Sequence, residues 1–248
     1  MSEIPEQTNN PSPAGSEGAI AGIPERLALV HERIDAVAKR AGRNPKDVLL
    51  VAVGKTHPVP VLRAAIAAGQ RDLGESRVQE ALGKIDAVGN QARWHLVGHL
   101  QRKKANAVVG RFDLIHSVDS IPLIEALERR AAALGLTQRI LLQINVSGES
   151  SKHGAPPQCL PDLLQALTHA PHVRAEGLLT IPPYAEDPEQ SRPHFARLRQ
   201  LLLESQPAPQ FEPRHLSMGM SGDFETAIEE GATIVRIGTA IFGPRPTA

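Results

Sequence analysis

The sequence is short of the features that mark several protein classes. It has a single cysteine, Cys159, so no intrachain disulfide can form, which fits a reducing compartment such as the cytoplasm. It has no excess of either charge, with 27 Lys and Arg against 27 Asp and Glu, which argues against nucleic acid or an anionic membrane as a partner. Any anion site must therefore be local. No apolar run reaches the roughly 18 residues that a bilayer span needs. The first 22 residues, which include Pro11, Ser12, Pro13, Gly15, Ser16 and Gly18, lack a cationic stretch leading into an apolar one. They are expected to form a disordered tail, 1–22, rather than a signal peptide. No repeat or low-complexity segment interrupts the chain from Ile23 onward.

What is present is a chain of 248 residues, 41% hydrophobic and 22% charged, enough for one sizeable core. A first helix is expected over 24–41, with Leu27, Val30, Ile34 and Val37 on one face and Gly42 ending it. The apolar run 48–53 then reads as a strand buried on both faces, as in a parallel sheet. Further strands are expected at 71–74, 93–97, 113–117, 139–145, 173–179, 213–217 and 232–237. Helices between them are expected at 59–68, 77–87, 101–109, 121–134, 159–168, 191–205 and 223–230. This rhythm predicts a single α/β domain over 23–248, a (β/α)8 TIM barrel with an extra N-terminal helix. A doubly wound open sheet is the alternative architecture.

In such a barrel the chemistry gathers at the carboxyl ends of the strands. Those ends carry Gly54-Lys55-Thr56, Gly74-Glu75-Ser76, Gly98-His99, Ser117-Val118-Asp119, Asn145-Val146-Ser147, Thr180-Ile181-Pro182, Ser217-Met218-Gly219-Met220-Ser221 and Arg236-Ile237-Gly238-Thr239. Lys55 closes an apolar strand, where partial desolvation favours the neutral amine needed for a Schiff base. From its position alone it also reads as a lysine reaching out to solvent from a strand end. A phosphate-binding P-loop would require glycine at position 49, which is Leu49. Arg236 is embedded in an apolar strand, which is costly unless the guanidinium has a partner. That partner is either an ion pair beneath the rim or a phosphate gripped by the last two loops, a common arrangement in barrels. His95 and His99 fall on a strand and its succeeding loop, so a metal pair is not expected. Ser147 and Ser221 lack a nucleophile-elbow context. Cys159 reads as a semi-buried apolar residue, and Arg102-Lys103-Lys104 as a solvated face.

Taken together these stretches resemble the pyridoxal 5′-phosphate (PLP)-binding homeostasis family of alanine-racemase-like, single-domain barrels. The resemblance is carried by residues 51–56, 74–80 and 94–101, by Ser117 to Ser120, by Asn145 to Ser147 with Ser151 to Gly154, by 177–182, and most strongly by 216–221 and 235–243. Two loops depart from the family pattern. Ser76-Arg77 stand where it has Asn-Tyr, and Arg102-Lys103-Lys104 come after Gln101 where it has one residue and then Asn-Lys. The resemblance implies PLP as cofactor, with Lys55 forming the Schiff base. It implies that Ser217, Gly219, Gly238 and Thr239 hold the phosphate, that Asn145 and Met218 contribute to the cofactor site, and that Arg236 faces the pyridine nitrogen or the phosphate. It further implies PLP supply and amino- and keto-acid balance, without robust turnover and with no catalytic residue assigned. Apo-PLP enzymes would be acceptors, and the protein is expected to be a monomer.

An arginine at the pyridine nitrogen leaves that nitrogen unprotonated and the ring a weaker electron sink. Racemases of this fold compensate with a tyrosine from a second domain. Here the chain ends at Ala248, and the only tyrosine, Tyr184, sits in a proline-rich loop. Two-base racemisation is accordingly not expected. A catalytic PLP enzyme and a barrel for another phosphorylated metabolite remain the competing expectations.

Overall fold

The computed structural model describes residues 20–244, so the expected tail lies outside the described residues as far as position 19. Ile20 is helical and packs against the core. Eight parallel strands close into a barrel in sequence order: β1 (Leu49–Val53), β2 (Asp72–Glu75), β3 (Arg93–Leu96), β4 (Leu114–Val118), β5 (Gln138–Gln143), β6 (Val173–Leu179), β7 (Phe211–Ser217) and β8 (Ile234–Ile237). The seam is the β1–β8 pairing, which sets Val51 opposite Arg236 and Ala52 opposite Ile237. This closed sheet excludes the open, doubly wound alternative.

The helices outside the sheet are α1 (Ile23–Arg40), α2 (Val59–Ala67), α3 (Val78–Val88), α4 (Ala105–Val108), α5 (Ile121–Leu134), α6 (Leu160–Leu167), α7 (Arg192–Glu204), α8 (Phe224–Glu229) and α9 (Thr239–Phe242). Leu27, Val30, Ile34 and Val37 are the buried stripe of α1, as its periodicity predicts. That helix lies beside the barrel seam, where Arg33 pairs with Glu225 at 3.0 Å and Arg26 Nε donates to the Ile241 carbonyl at 2.6 Å.

The expected elements differ from the observed ones mainly at their ends. The second strand runs one residue further, so Glu75 belongs to the sheet and is fully buried. The expected helix 101–109 is instead a 3-10 turn, Arg102–Lys104, leading into the short α4. It stops at consecutive valines and Gly110, whose φ of 77° cannot continue a helix. The four-residue α9 has no counterpart among the expected helices, being too short to show a hydrophobic period.

Strand alternation sorts the core into two parts. One large cluster packs between sheet and helices and includes Leu50, Ala52, Leu73, Leu96, Ile115 and Val235. A small cluster fills part of the barrel interior: Val51, Val53, Val97, Leu114, Leu141, Leu179 and Ile234. The rest of the interior is polar. On β6 the register shifts between Ala175 and Gly177, and Gly177 adopts φ 142°. A Cβ there would overlap the backbone of His215, so the close approach of β6 and β7 requires glycine.

Candidate functional site

Lys55 extends the parity of Val51 and Val53, the inward-facing residues of β1, one step past the strand. Arg236 lies on β8 directly opposite Val51, so the two cations belong to neighbouring strands at one end of the barrel. The segment around Lys55 is fixed on both sides. Lys84 Nζ donates to the Gly54 carbonyl at 2.9 Å, to Glu75 Oε1 at 2.7 Å and to Glu80 Oε1 at 2.6 Å. Glu80 Oε1 in turn accepts the Thr56 backbone N–H at 2.7 Å. Burial pushes the Glu75 carboxyl up to about 6 despite the opposing contact with Lys84. Its second oxygen, Oε2, is buried without a hydrogen bond. Burial also opposes ionisation of Glu80, yet Lys84 and the Thr56 N–H hold it below its ordinary value.

Arg236 is 4% exposed. Its Nη1 donates to Ser217 Oγ at 2.8 Å and its Nη2 to the Thr180 carbonyl at 3.1 Å. Burial lowers it to about 10, with Asp223 opposing. Neither of these partners is a carboxylate, so the ion pair considered for it beneath the rim is not what holds it. A guanidinium carries five N–H groups, so it retains donors beyond these two for an acceptor in the mouth.

The β7 and β8 loops meet above it. Gly219 sits at φ 92°, where a Cβ would lie 2.7 Å from Ala227 Cβ and 2.9 Å from Phe224 Cα, and its carbonyl accepts the Arg236 N–H at 3.0 Å. Gly238 precedes α9, and a Cβ on it would come within 3.1 Å of the Val53 carbonyl. Thr239 opens α9, where the Ile241 and Phe242 N–H groups both turn back to the Gly238 carbonyl at 2.9 Å. Ser221 Oγ accepts the Ala240 N–H at 3.3 Å, tying the two loops together.

Of the residues selected from sequence, Lys55, Gly219, Arg236, Gly238 and Thr239 converge on one mouth. Ser217 is beside Arg236, but its hydroxyl is wholly buried and engaged by Arg236 and by His116 Nδ1 at 2.9 Å. Met218 is buried in the outer cluster between sheet and helices. The Asn145 side chain is used within its own loop. Its Nδ2 donates to the Glu149 carbonyl at 2.9 Å, and its Oδ1 accepts from Ser147 Oγ at 2.9 Å and the Gly148 N–H at 3.1 Å. Tyr184 is 89% exposed. Missed from sequence were the parts played by Glu80, Lys84 and His116; His95 reads there only as half of a metal pair, and Thr180 only as a strand-end residue. His116 did leave a signal, a polar residue inside the apolar strand Leu114–Val118. No group of three or more His, Cys, Asp or Glu residues able to hold a metal occurs among the described residues.

The donor set suits a phosphorylated aldehyde with an aromatic nitrogen: an amine, backbone amides at glycines that admit no side chain, and an arginine with spare donors. Comparison with known proteins points the same way. Residues 26–246 match the alanine racemase N-terminal domain family. A protein of Aquifex aeolicus named pyridoxal phosphate homeostasis protein is 45% identical over 222 residues, 89% of this chain and 97% of that one. PipY of Synechococcus elongatus, solved with PLP bound, is 40% identical, covers 89% of this chain and 100% of its own, and superposes with a TM-score of 0.78. A protein of unknown role from Bifidobacterium adolescentis is 37% identical, with a TM-score of 0.84 over 91% of this chain and 96% of that one. The chain belongs to the pyridoxal phosphate homeostasis protein family, built on the barrel of the alanine racemase N-terminal domain.

Proposed function

We propose that this protein binds PLP at the carboxyl-end mouth of its barrel and serves cytoplasmic PLP homeostasis, supplying the cofactor to apo-PLP enzymes rather than turning over a substrate. The observation that carries this reading is the pairing of β1 with β8, which puts Lys55 and Arg236 on neighbouring strands beneath Gly238. Lys55 supplies the amine that captures the aldehyde. The amides around Gly219, Gly238 and Thr239 take the phosphate, and the spare N–H groups of Arg236 face the ring. Ser217 supports Arg236 from below. Bound PLP supplies an electrophilic aldehyde and an electron-withdrawing ring, and an arginine at the ring nitrogen tempers the second. Tyr184, 89% exposed, is not placed to act as a second base, which supports holding over racemisation.

The test is the visible spectrum of protein incubated with PLP. A band that borohydride removes and that Lys55→Ala lacks supports the reading, and an unchanged band in Lys55→Ala refutes it. Transfer of PLP to an apo-enzyme separates supply from catalysis. Formation of D-alanine from L-alanine at a racemase-like rate would overturn the proposed lack of turnover. Sedimentation is expected to give a monomer.

A further inference from the structure

Behind Arg236 a chain of buried polar side chains crosses the barrel interior. Arg236 Nη1 meets Ser217 Oγ at 2.8 Å, and Ser217 Oγ meets His116 Nδ1 at 2.9 Å. His116 Nε2 meets His95 Nδ1 at 3.0 Å, and His95 Nε2 meets Asp72 Oδ1 at 3.0 Å. The four links draw on β8, β7, β4, β3 and β2 in turn. They start at the mouth that carries Lys55 and end at Asp72, the first residue of β2. Asp72 and His95 line a cavity of about 830 Å³ at the opposite, amino-end mouth. Ser217 and His116 are wholly buried, and Arg236, His95 and Asp72 are at most 5% exposed. None of the three residues beyond Ser217 belongs to the set that holds the cofactor.

Hydrogen-bond accounting gives this chain a single direction. Asp72 also receives both Arg93 Nε at 2.9 Å and Arg93 Nη2 at 2.6 Å. Those contacts and the one from His95 outweigh its burial and hold the carboxyl below its ordinary value. An ionised carboxylate only accepts, so His95 Nε2 donates. At the other end a guanidinium only donates, so Ser217 Oγ accepts from Arg236. If His116 Nδ1 also donated to Ser217, neither of these two partners could accept the buried hydroxyl proton, and a buried donor left without an acceptor is costly. Ser217 therefore donates to His116 Nδ1, His116 Nε2 donates to His95 Nδ1, and all four links run in one sense, from Arg236 to Asp72. Burial, and after it the neighbouring His95 and Arg236, holds His116 well below its ordinary value, which agrees with Nδ1 as an acceptor.

We propose that Asp72, His95 and His116 are positioning residues for Arg236, acting through Ser217 as a one-way hydrogen-bond relay that fixes which guanidinium N–H groups are left to face the cofactor. The anchor is the carboxylate at the far mouth. Removing its charge takes away what obliges His95 Nε2 to donate, so the effect reaches Arg236 with no change at the cofactor mouth itself. This role rests on the reading of that mouth as the PLP site.

The experiment compares the wild type with Ser217→Ala and Asp72→Asn, two near-isosteric changes that preserve barrel packing. Glu176→Gln is the control. Glu176 is an interior carboxylate, 5% exposed, which pairs with Arg139 and lies outside the relay. In the apo-protein, 15N resonances should show His116 and His95 both as the Nε2–H form with acceptor-type Nδ1. Ser217→Ala should move His116 Nδ1, Asp72→Asn should move both rings, and both variants should speed exchange of the Arg236 guanidinium protons. In the PLP-loaded protein the same two variants should shift the visible band and weaken PLP binding roughly tenfold, while Glu176→Gln leaves both unchanged. The proposal is overturned if both rings are unaffected by the substitutions, or if the band and affinity stay at wild-type values. A wild type that shows no PLP band while the apo-protein resonances respond as described condemns the reading of the mouth, and with it the relay's role toward a cofactor, but leaves the relay itself standing.

Discussion

The backbone N–H of Thr56 is bound by Glu80 Oε1 at 2.7 Å, and Thr56 is the one non-glycine among the described residues with positive φ, 69°. A β-branched residue in that region carries strain of about 1–3 kcal/mol, which something must hold. Glu80 holds the amide on one side of Lys55, and Lys84 holds the Gly54 carbonyl on the other. Local backbone strain is thus maintained at the residue next to the one that carries the amine.

Glu80→Ala removes both the Thr56 clamp and one partner of Lys84. It keeps good helix propensity in α3. It should cost about 1–2 kcal/mol of unfolding free energy, since the lost bonds are charge-assisted but partly solvated. It should also weaken PLP binding about tenfold as the Lys55 segment relaxes. Urea titration and absorbance titration read the two effects. Wild-type affinity in this variant would show that the clamp does not position Lys55.

Glu75 gives a pH dependence of unusual sign. Burial raises its pKa from 4.5 to about 6 in the folded protein. The folded state therefore holds this proton more tightly than the unfolded chain. Its stabilising contribution is present below about 4.5 and is lost as pH rises through about 6, a swing of about 2 kcal/mol. Asp72, Glu80 and Glu176, all depressed, act the other way, their contributions being lost as pH falls. The swing is isolated by subtracting the stability profile of Glu75→Gln from that of the wild type. The difference should decline between about pH 4.5 and about pH 6.5, and a flat difference would contradict the assignment.

Much of this was legible in the sequence, for identifiable reasons. The apolar β-branched run of β1 and the alternation of strands with helical stripes are local signals, and they give the barrel. Lys55 and Arg236 stand out because a cation in an apolar strand is expensive. The direction of a side chain is not local. Ser217 reads as a phosphate ligand until His116 and Arg236 arrive from β4 and β8 to occupy its hydroxyl. Asn145 lies at a strand end like the others, but its amide closes its own loop. Glu80 and Lys84 look like an ordinary surface pair four apart on a helix, and only the packing of α3 under the β1 loop reveals what they hold.

Gly177 tests the β6–β7 contact that leads up to Thr180 and Ser217. Its φ of 142° and the overlap of any Cβ with the His215 backbone leave no room for relaxation by a flexible side chain. Gly177→Ala should cost about 3 kcal/mol or more, seen as a large fall in thermal midpoint. Gly83→Ala, in α3 with open space around its Cβ, should be neutral or stabilising by up to about 1 kcal/mol.

Arg236 separates stability from function most sharply. Burial lowers its pKa to about 10, so the charge it carries at neutral pH is a cost to the folded state. Breaking an ordinary buried ion pair by removing one partner costs about 3–5 kcal/mol, because a charge is left uncompensated. Arg236 contacts a hydroxyl and a carbonyl instead, so Arg236→Met removes a desolvated charge and leaves only neutral groups short of a partner. The two effects oppose, and the apo-protein should stay within about 1 kcal/mol of wild type in chemical denaturation. PLP affinity should fall by tenfold or more as the ring loses its donor, on the order of one charge-assisted hydrogen bond. A loss of stability near that of a broken ion pair would mean that Arg236 is held in place for the fold. Near-wild-type stability with lost binding would mean that the fold tolerates a buried cation whose use lies in the mouth above it.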